Sequence, residues 1–234
     1  MELIHDMIMS MPSQINCKGF CRSITEGLQE FYDYKGMDYQ LMENHAEQRL
    51  TASCVVFSMF HQEIWMIGDC QCIVDGTLYD NPKPSEREMA VKRSRYIKEA
   101  LTHGKKTADF QENDEGRQFI LQDLIVGCQQ QNKTYAVFDG TPVYMGGVRV
   151  IPCQGCNEVV LASDGYPFLK STLRESEQAL KELLDTDPLC IDRYLATKGV
   201  MKGNNSFDDR AYVRFKKNKE KNSSWLSRWW KHKG

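Results

Sequence analysis

Three aspartates stand where a short apolar run meets a turn. They are Asp69 in Gly68-Asp69-Cys70-Gln71, Asp164 in Ala162-Ser163-Asp164-Gly165, and Asp208 or Asp209 in the stretch from Ser206 to Tyr212. A carboxylate at the end of a strand is placed by a rigid element, and it suits a hard cation such as Mg2+ or Mn2+, which takes oxygen ligands. Each acid also has a plain reading, because aspartate is an ordinary turn residue. If the fold brings the three turns to one edge of its sheets, the gathered carboxylates need cations or large pKa shifts to coexist. Spacing alone does not decide whether they meet.

The element that must hold Asp164 is the clearest in the chain. Val159, Val160, Leu161 and Ala162 read as a buried strand, and Gly165 lets the backbone turn after it. Upstream, 52–60 and 63–67 are β-rich runs separated by His61-Gln62, and 72–74 follows Gly68-Asp69, which predicts a meander of three short antiparallel strands. In this reading His61 is a hairpin residue and not a ligand. Further strands are predicted over 134–138, 148–152 and 210–215. Helical spacing appears in Leu3, Ile4, Met7, Ile8 and Met11 before Pro12, and again from Ser23, read as an N-cap, through Ile24, Leu28 and Phe31. A capping box at Ser85 to Glu88 opens a helix that Gly104 stops, 115–130 and 172–184 are amphipathic, and Asp187-Pro188 has the form of another helix start. Strands and helices come in blocks, which predicts an α+β fold of antiparallel sheets and not a doubly wound parallel one.

Composition sets the outer bounds. The 234 residues suffice for one domain with a full core, and 41% hydrophobic with 26% charged residues is an ordinary globular balance. No apolar stretch is long enough to span a bilayer and no secretory leader is visible, so the chain reads as cytoplasmic. Nine cysteines, with Cys54, Cys128 and Cys190 in apolar surroundings, read as reduced core thiols. Cys153-Gln154-Gly155-Cys156 has zinc-knuckle spacing but no second pair, so it reads as a turn with two thiols. The net charge of −2 is uneven: 216–234 carries a local +6 and leaves −8 on the remainder. With no basic patch on the body, nucleic-acid binding is not expected. Trp225, Trp229 and Trp230 sit among the lysines and arginines of that last segment, as a basic amphipathic tail that could rest on a membrane surface, dock a protein partner or pack on its own domain.

In order and context, the three acidic segments resemble those of the metal-dependent PPM-type (type 2C) serine/threonine protein phosphatases. Gly68-Asp69-Cys70-Gln71 resembles the family's GDSR-like segment, preceded by a β pair whose first strand starts with small residues, here Thr51-Ala52-Ser53. The run from Val159 to Tyr166 resembles its hydrophobic-Ala-(Ser/Thr)-Asp-Gly motif, and Ser206 to Phe215 resembles its last D-(N/D)-x-(T/S/A) strand. The resemblance implies a four-layer α-β-β-α sandwich of two antiparallel sheets over 1–215, with a binuclear Mg2+ or Mn2+ site at one edge. It implies Asp164 and Asp208 as carboxylates of that site, Asp208 being chosen over Asp209 by the motif's register, and Asp69 as an acid of an additional metal. The implied chemistry is attack of a metal-activated water on the phosphorus of a phosphorylated protein, the cations neutralising the phosphate oxygens.

The family's acidic pair and first Asp-Gly strand have no counterpart here, so the resemblance implies an N-terminally incomplete domain with an unpaired sheet edge and weakly held cations. The expectation is a truncated or weakly active phosphatase, the alternative being a catalytically degenerate phosphatase-like binding or regulatory module. The segment from Tyr135 to Pro142 has a similar Asp-Gly, but it falls between the first two acidic motifs, and Asp139 therefore reads as an ordinary hairpin residue.

Overall fold

Side chains alternate along the strands, and each parity finds its own core. The structure is a computed structural model describing residues 2–217, so the tail with Trp225, Trp229 and Trp230 lies outside the described residues. The strands are β1 (Cys54–Ser58), β2 (Glu63–Ile67), β3 (Gln71–Val74), β4 (Thr77–Asp80), β5 (Arg149–Pro152), β6 (Glu158–Ala162) and β7 (Tyr212–Lys216). They form two antiparallel sheets, ordered β1-β2-β5 and β4-β3-β6-β7. In β2, Trp65 and Ile67 face one side with Phe20, Ile24 and Leu28, whereas Ile64 and Met66 face the other with Cys72 and Val159 of the second sheet. In β6 the same period of two sends Val159 to the space between the sheets and Val160 and Ala162 to the far side.

The helices are α1 (Glu2–Ser10), α2 (Cys17–Lys35), α3 (Tyr39–Asn44), α4 (Glu86–Thr102), α5 (Thr107–Glu112), α6 (Glu115–Phe119), α7 (Leu121–Cys128) and α8 (Leu173–Thr186). α1 and α2 cover the outer face of the first sheet. Tyr166 and Leu169, in the segment entering α8, cover the outer face of the second, and the Tyr166 hydroxyl donates to Glu177 of α8 at 2.6 Å. The class is therefore α+β with two antiparallel sheets in layers, as expected. No helix among the described residues is long and apolar enough to cross a membrane.

Several local expectations are corrected. β3 does not extend the β1-β2 hairpin: it pairs with β4 and β6, so the chain crosses from one sheet to the other at Gly68-Asp69-Cys70. Gly68 makes that crossing, with φ of 86° and with Ser53 so close that a Cβ would lie 2.2 Å from its Oγ. α2 starts at Cys17, capped by Asn16, which accepts from the Gly19 N–H at 2.8 Å, so Ser23 lies inside it. Ser85 is already helical in backbone and makes no side-chain cap bond. The 115–130 helix breaks at Ile120, which is fully buried between half-exposed Phe119 and Leu121.

No strand forms over 134–138 beyond single bridges of Phe138 to Ala52 and Tyr135 to Gln131. There the Asn132 side chain takes the N–H groups of Val137 and Tyr144, a local alternative to a ladder. Asp187 likewise starts no helix. Its carboxylate accepts from the N–H groups of Ile191, Asp192 and Arg193, each at 2.9 Å, and closes a loop. Asp139 is not in a hairpin either. It is a buried acid that accepts from Arg49 at 2.9 Å and from Asn132 and Thr141.

Candidate functional site

The β3–β6 register brings two of the three acids to one place. Gln71 pairs with Ala162, and continuing that antiparallel register two residues outward sets Asp69 opposite Asp164. The Gln71 side chain pins the turn carrying Asp164 by donating to the carbonyls of Ser163 at 3.2 Å and Tyr166 at 2.9 Å. The third acid arrives beside β7, where Ala162 pairs with Tyr212. The Ser163 N–H donates to the Ala211 carbonyl, and the Ala211 N–H donates to the Ser163 hydroxyl. Gly165 serves this junction by its lack of a side chain and not by an unusual φ: a Cβ would stand 2.3 Å from the Asp209 carbonyl oxygen. Asp208 is half-buried and Asp209 exposed, so Asp208 is the one turned toward the cluster.

Two lysines and a glutamate complete the edge, and none of them stood out in the sequence. Lys83 Nζ lies 2.5 Å from Asp69 Oδ2, while the Ser53 hydroxyl donates to Asp69 Oδ1 at 2.6 Å. Lys198 Nζ lies 2.5 Å from Asp208 Oδ1, which also accepts from the Asp209 N–H. Burial works to raise the Asp69 pKa, but the Lys83 ammonium and the Ser53 hydroxyl prevail and hold it below the usual carboxylate range. Burial works to lower that of Lys83, and the negative charge of Asp69, Glu86 and Asp164 overrides it upward. Glu86, at the start of α4, is pushed up by burial and by Asp69 and Asp208. The Tyr194 phenol is raised by burial and by Glu86 and Asp164.

Among the described residues no lysine forms an ion pair with Asp164. Burial, then the charges of Asp69 and Asp208, push its carboxyl up to about 7. The folded chain therefore holds this proton more tightly than the unfolded chain, whose aspartate titrates near roughly pH 4. The stability this contributes is fully present below the unfolded value and is lost as pH rises through about 7. Asp164→Asn is expected to flatten the decline in unfolding free energy between pH 5 and pH 8, leaving the smaller share due to Glu86. Urea unfolding at the two pH values measures it, and an unchanged decline in the variant would refute the assignment.

The family resemblance implies Mg2+ or Mn2+ held by these three carboxylates. Asp69, Asp164 and Asp208 feel one another's charge, but two of the three are taken up by ammonium groups. Among the described residues no group of three or more His, Cys, Asp or Glu is arranged to hold a metal ion. As arranged, the edge does not fit a divalent cation. Cys153 and Cys156 are free thiols, and among the described residues no third ligand joins them.

Beside Asp208 opens a polar cleft of about 860 Å³, lined by Lys198, Asn204, Ser206 and Arg210 among others. Arg210 there is paired to Glu177, its Nε 2.9 Å from Oε1. The edge thus offers charged side chains on one side of an open groove.

In structure the chain is similar to a bacterial serine phosphatase, with 12% sequence identity, 92% of this chain and 78% of that one covered, and a TM-score of 0.41. It is also similar to the serine/threonine phosphatase Stp1 from Staphylococcus aureus, at 12% identity, covering 79% and 70% of the two chains with a TM-score of 0.35. No protein-family model matches the chain, and no curated protein does.

Proposed function

We propose that the chain is a phosphatase-like domain of the PPM type that engages phosphorylated proteins at the edge formed by Asp69, Asp164 and Asp208. The observation that carries this reading is the meeting of three acids from three separate motifs: Asp69 and Asp164 are brought face to face by the β3–β6 register, and Asp208 lies within reach of their charge. A turn residue of no consequence has no reason to be desolvated beside two other carboxylates, and an acid perturbed in this way is a candidate functional group. On this reading Lys83 and Lys198 supply positive charge toward phosphoryl oxygens. Asp164, carrying its proton near neutrality, can donate a hydrogen bond to one of them. Mg2+ or Mn2+ is implied by the family resemblance alone.

The lysine pairing also supports a second reading, a non-catalytic module that binds phosphorylated proteins. One assay separates the two. Slow hydrolysis of p-nitrophenyl phosphate is expected from the 234-residue chain in excess Mn2+, falling to background in Asp164→Asn. Equal rates for the two proteins would sink the catalytic reading, and a phosphopeptide that binds without being turned over would establish the second.

A further inference from the structure

We infer that Lys83 and Lys198 are built-in counter-cations of the acid cluster, occupying it in place of divalent metal, so that Mn2+ enters only by displacing them. The phosphatase-like reading contributes one thing to this inference, the expectation that metal belongs at this edge. The lysines' role stands on their own geometry.

Each ammonium makes a close contact with a different acid, at 2.5 Å in both cases, and the two lysines come from chain segments more than a hundred residues apart. Both are delivered by fixed backbone. Lys83 lies between Pro82 and Pro84, which restrict the backbone on either side of it. The preceding Asn81 side chain donates to the carbonyls of Gly68 at 2.9 Å and Gly147 at 3.1 Å, which ties this loop to the turn bearing Asp69. Lys198 sits in the loop after Asp187, which is held from beneath. Arg93 donates to the carbonyls of Leu189 and Ala196, Arg117 to that of Thr197, and the Gly199 N–H donates to Asp114. Neither lysine is a free surface arm that happens to reach an acid.

The charge balance points the same way. A lysine ammonium bonded to a carboxylate removes the charge that would draw a divalent ion, and it repels that ion from a few ångströms away. Two such pairs leave Asp164 and Glu86 as the remaining acids, too few to form an oxygen cage. Removing the ammonium while keeping the apolar stem restores the negative charge without opening a hole, and lysine to methionine does this.

The test is Mn2+ binding to the full chain, read by the loss of free-Mn2+ paramagnetic resonance signal and by the rise in melting temperature on Mn2+ titration. Lys83→Met, Lys198→Met and the double variant are compared with the parent. The expected result is weak binding by the parent and an affinity about tenfold or more tighter in the double variant, since site affinity follows the ligand charge count. Without Mn2+ the variants should melt lower, and Mn2+ should restore them. Adding Asp164→Asn to the double variant should abolish the gain, and Lys92→Met, whose partner Asp123 is an exposed acid away from the cluster, should leave binding unchanged. Tight Mn2+ binding by the parent, or no gain in the variants, overturns the inference. Should the double variant fail to fold, the two single variants decide the matter, each lysine side chain being about one-third exposed. Absence of hydrolysis would leave this result intact, so the two readings fail separately.

Discussion

Arg93→Met is expected to lower the unfolding free energy by about 3–5 kcal/mol, the range for breaking one side of a buried ion pair. Arg93 is fully buried, yet each of its three guanidinium nitrogens has an acceptor. Nη2 reaches Asp114 Oδ2 at 2.7 Å, Nε bridges both oxygens of the same carboxylate at 3.2 and 3.3 Å, and Nη1 donates to the Leu189 and Ala196 carbonyls. Removing it leaves a buried carboxylate without a countercharge and two carbonyls without a donor, and these are the costly outcomes. Asp114 loses support in two further duties, since it caps α6 through the Arg117 N–H and holds the Gly199 N–H. Urea unfolding of Arg93→Met and of Arg93→Met with Asp114→Asn measures the effect. The double variant should recover part of the loss, because the stranded charge is gone. A cost under about 1 kcal/mol would place the pair among ordinary substitutions and refute the argument.

Gly165→Ala is the second substitution with a large expected effect, about 1–3 kcal/mol for inserting a methyl where there is no room. The added carbon would stand 2.3 Å from the Asp209 carbonyl oxygen and 2.9 Å from Arg210 Cβ. The nearest neighbour is backbone, which cannot rotate aside, so the approach to β7 must open. That opening carries Asp208 away from Asp164, and the variant should therefore also show a smaller decline in stability between pH 5 and pH 8. Gly127→Ala in α7 is the contrast. Its nearest neighbours would be at 3.8 and 3.9 Å, and helix propensity favours alanine there. If the two alanines cost the same, crowding at Gly165 is not what requires glycine.

What the sequence made legible was the part governed by local period and by motif. β6 and its terminal acid, the β1-β2 hairpin and α8 follow from alternation or helical spacing, and the structure has them within two residues of the expected ends. The transfer of β3 to the second sheet was not legible, because an antiparallel meander and a crossing at Gly68 share the same run of residue types. Asp139 and Asp187 misled for a common reason. Each has the local form of a turn or helix start, yet its partners are chosen by tertiary position: Arg49 for the first, three successive N–H groups for the second. Lys83 and Lys198 carried no periodic signal, since a lysine in a turn is by default a solvated one. The one available hint was the pair of prolines around Lys83, a stiff mounting that a solvated lysine does not need.

The β3–β6 pairing has a consequence for how this edge comes into being. The β1–β2 hairpin joins residues close in sequence, whereas the Gln71 side chain meets the Ser163 carbonyl across 92 positions of chain. Closing such a separation belongs to the slow, non-local part of folding. A chain that has formed its hairpins and helices but not this pairing has its acids far apart and unopposed. Anything that recognises the three acids together, cation or phosphoryl group, can therefore associate only with the finished fold, and by mass action it shifts the folding equilibrium toward that state.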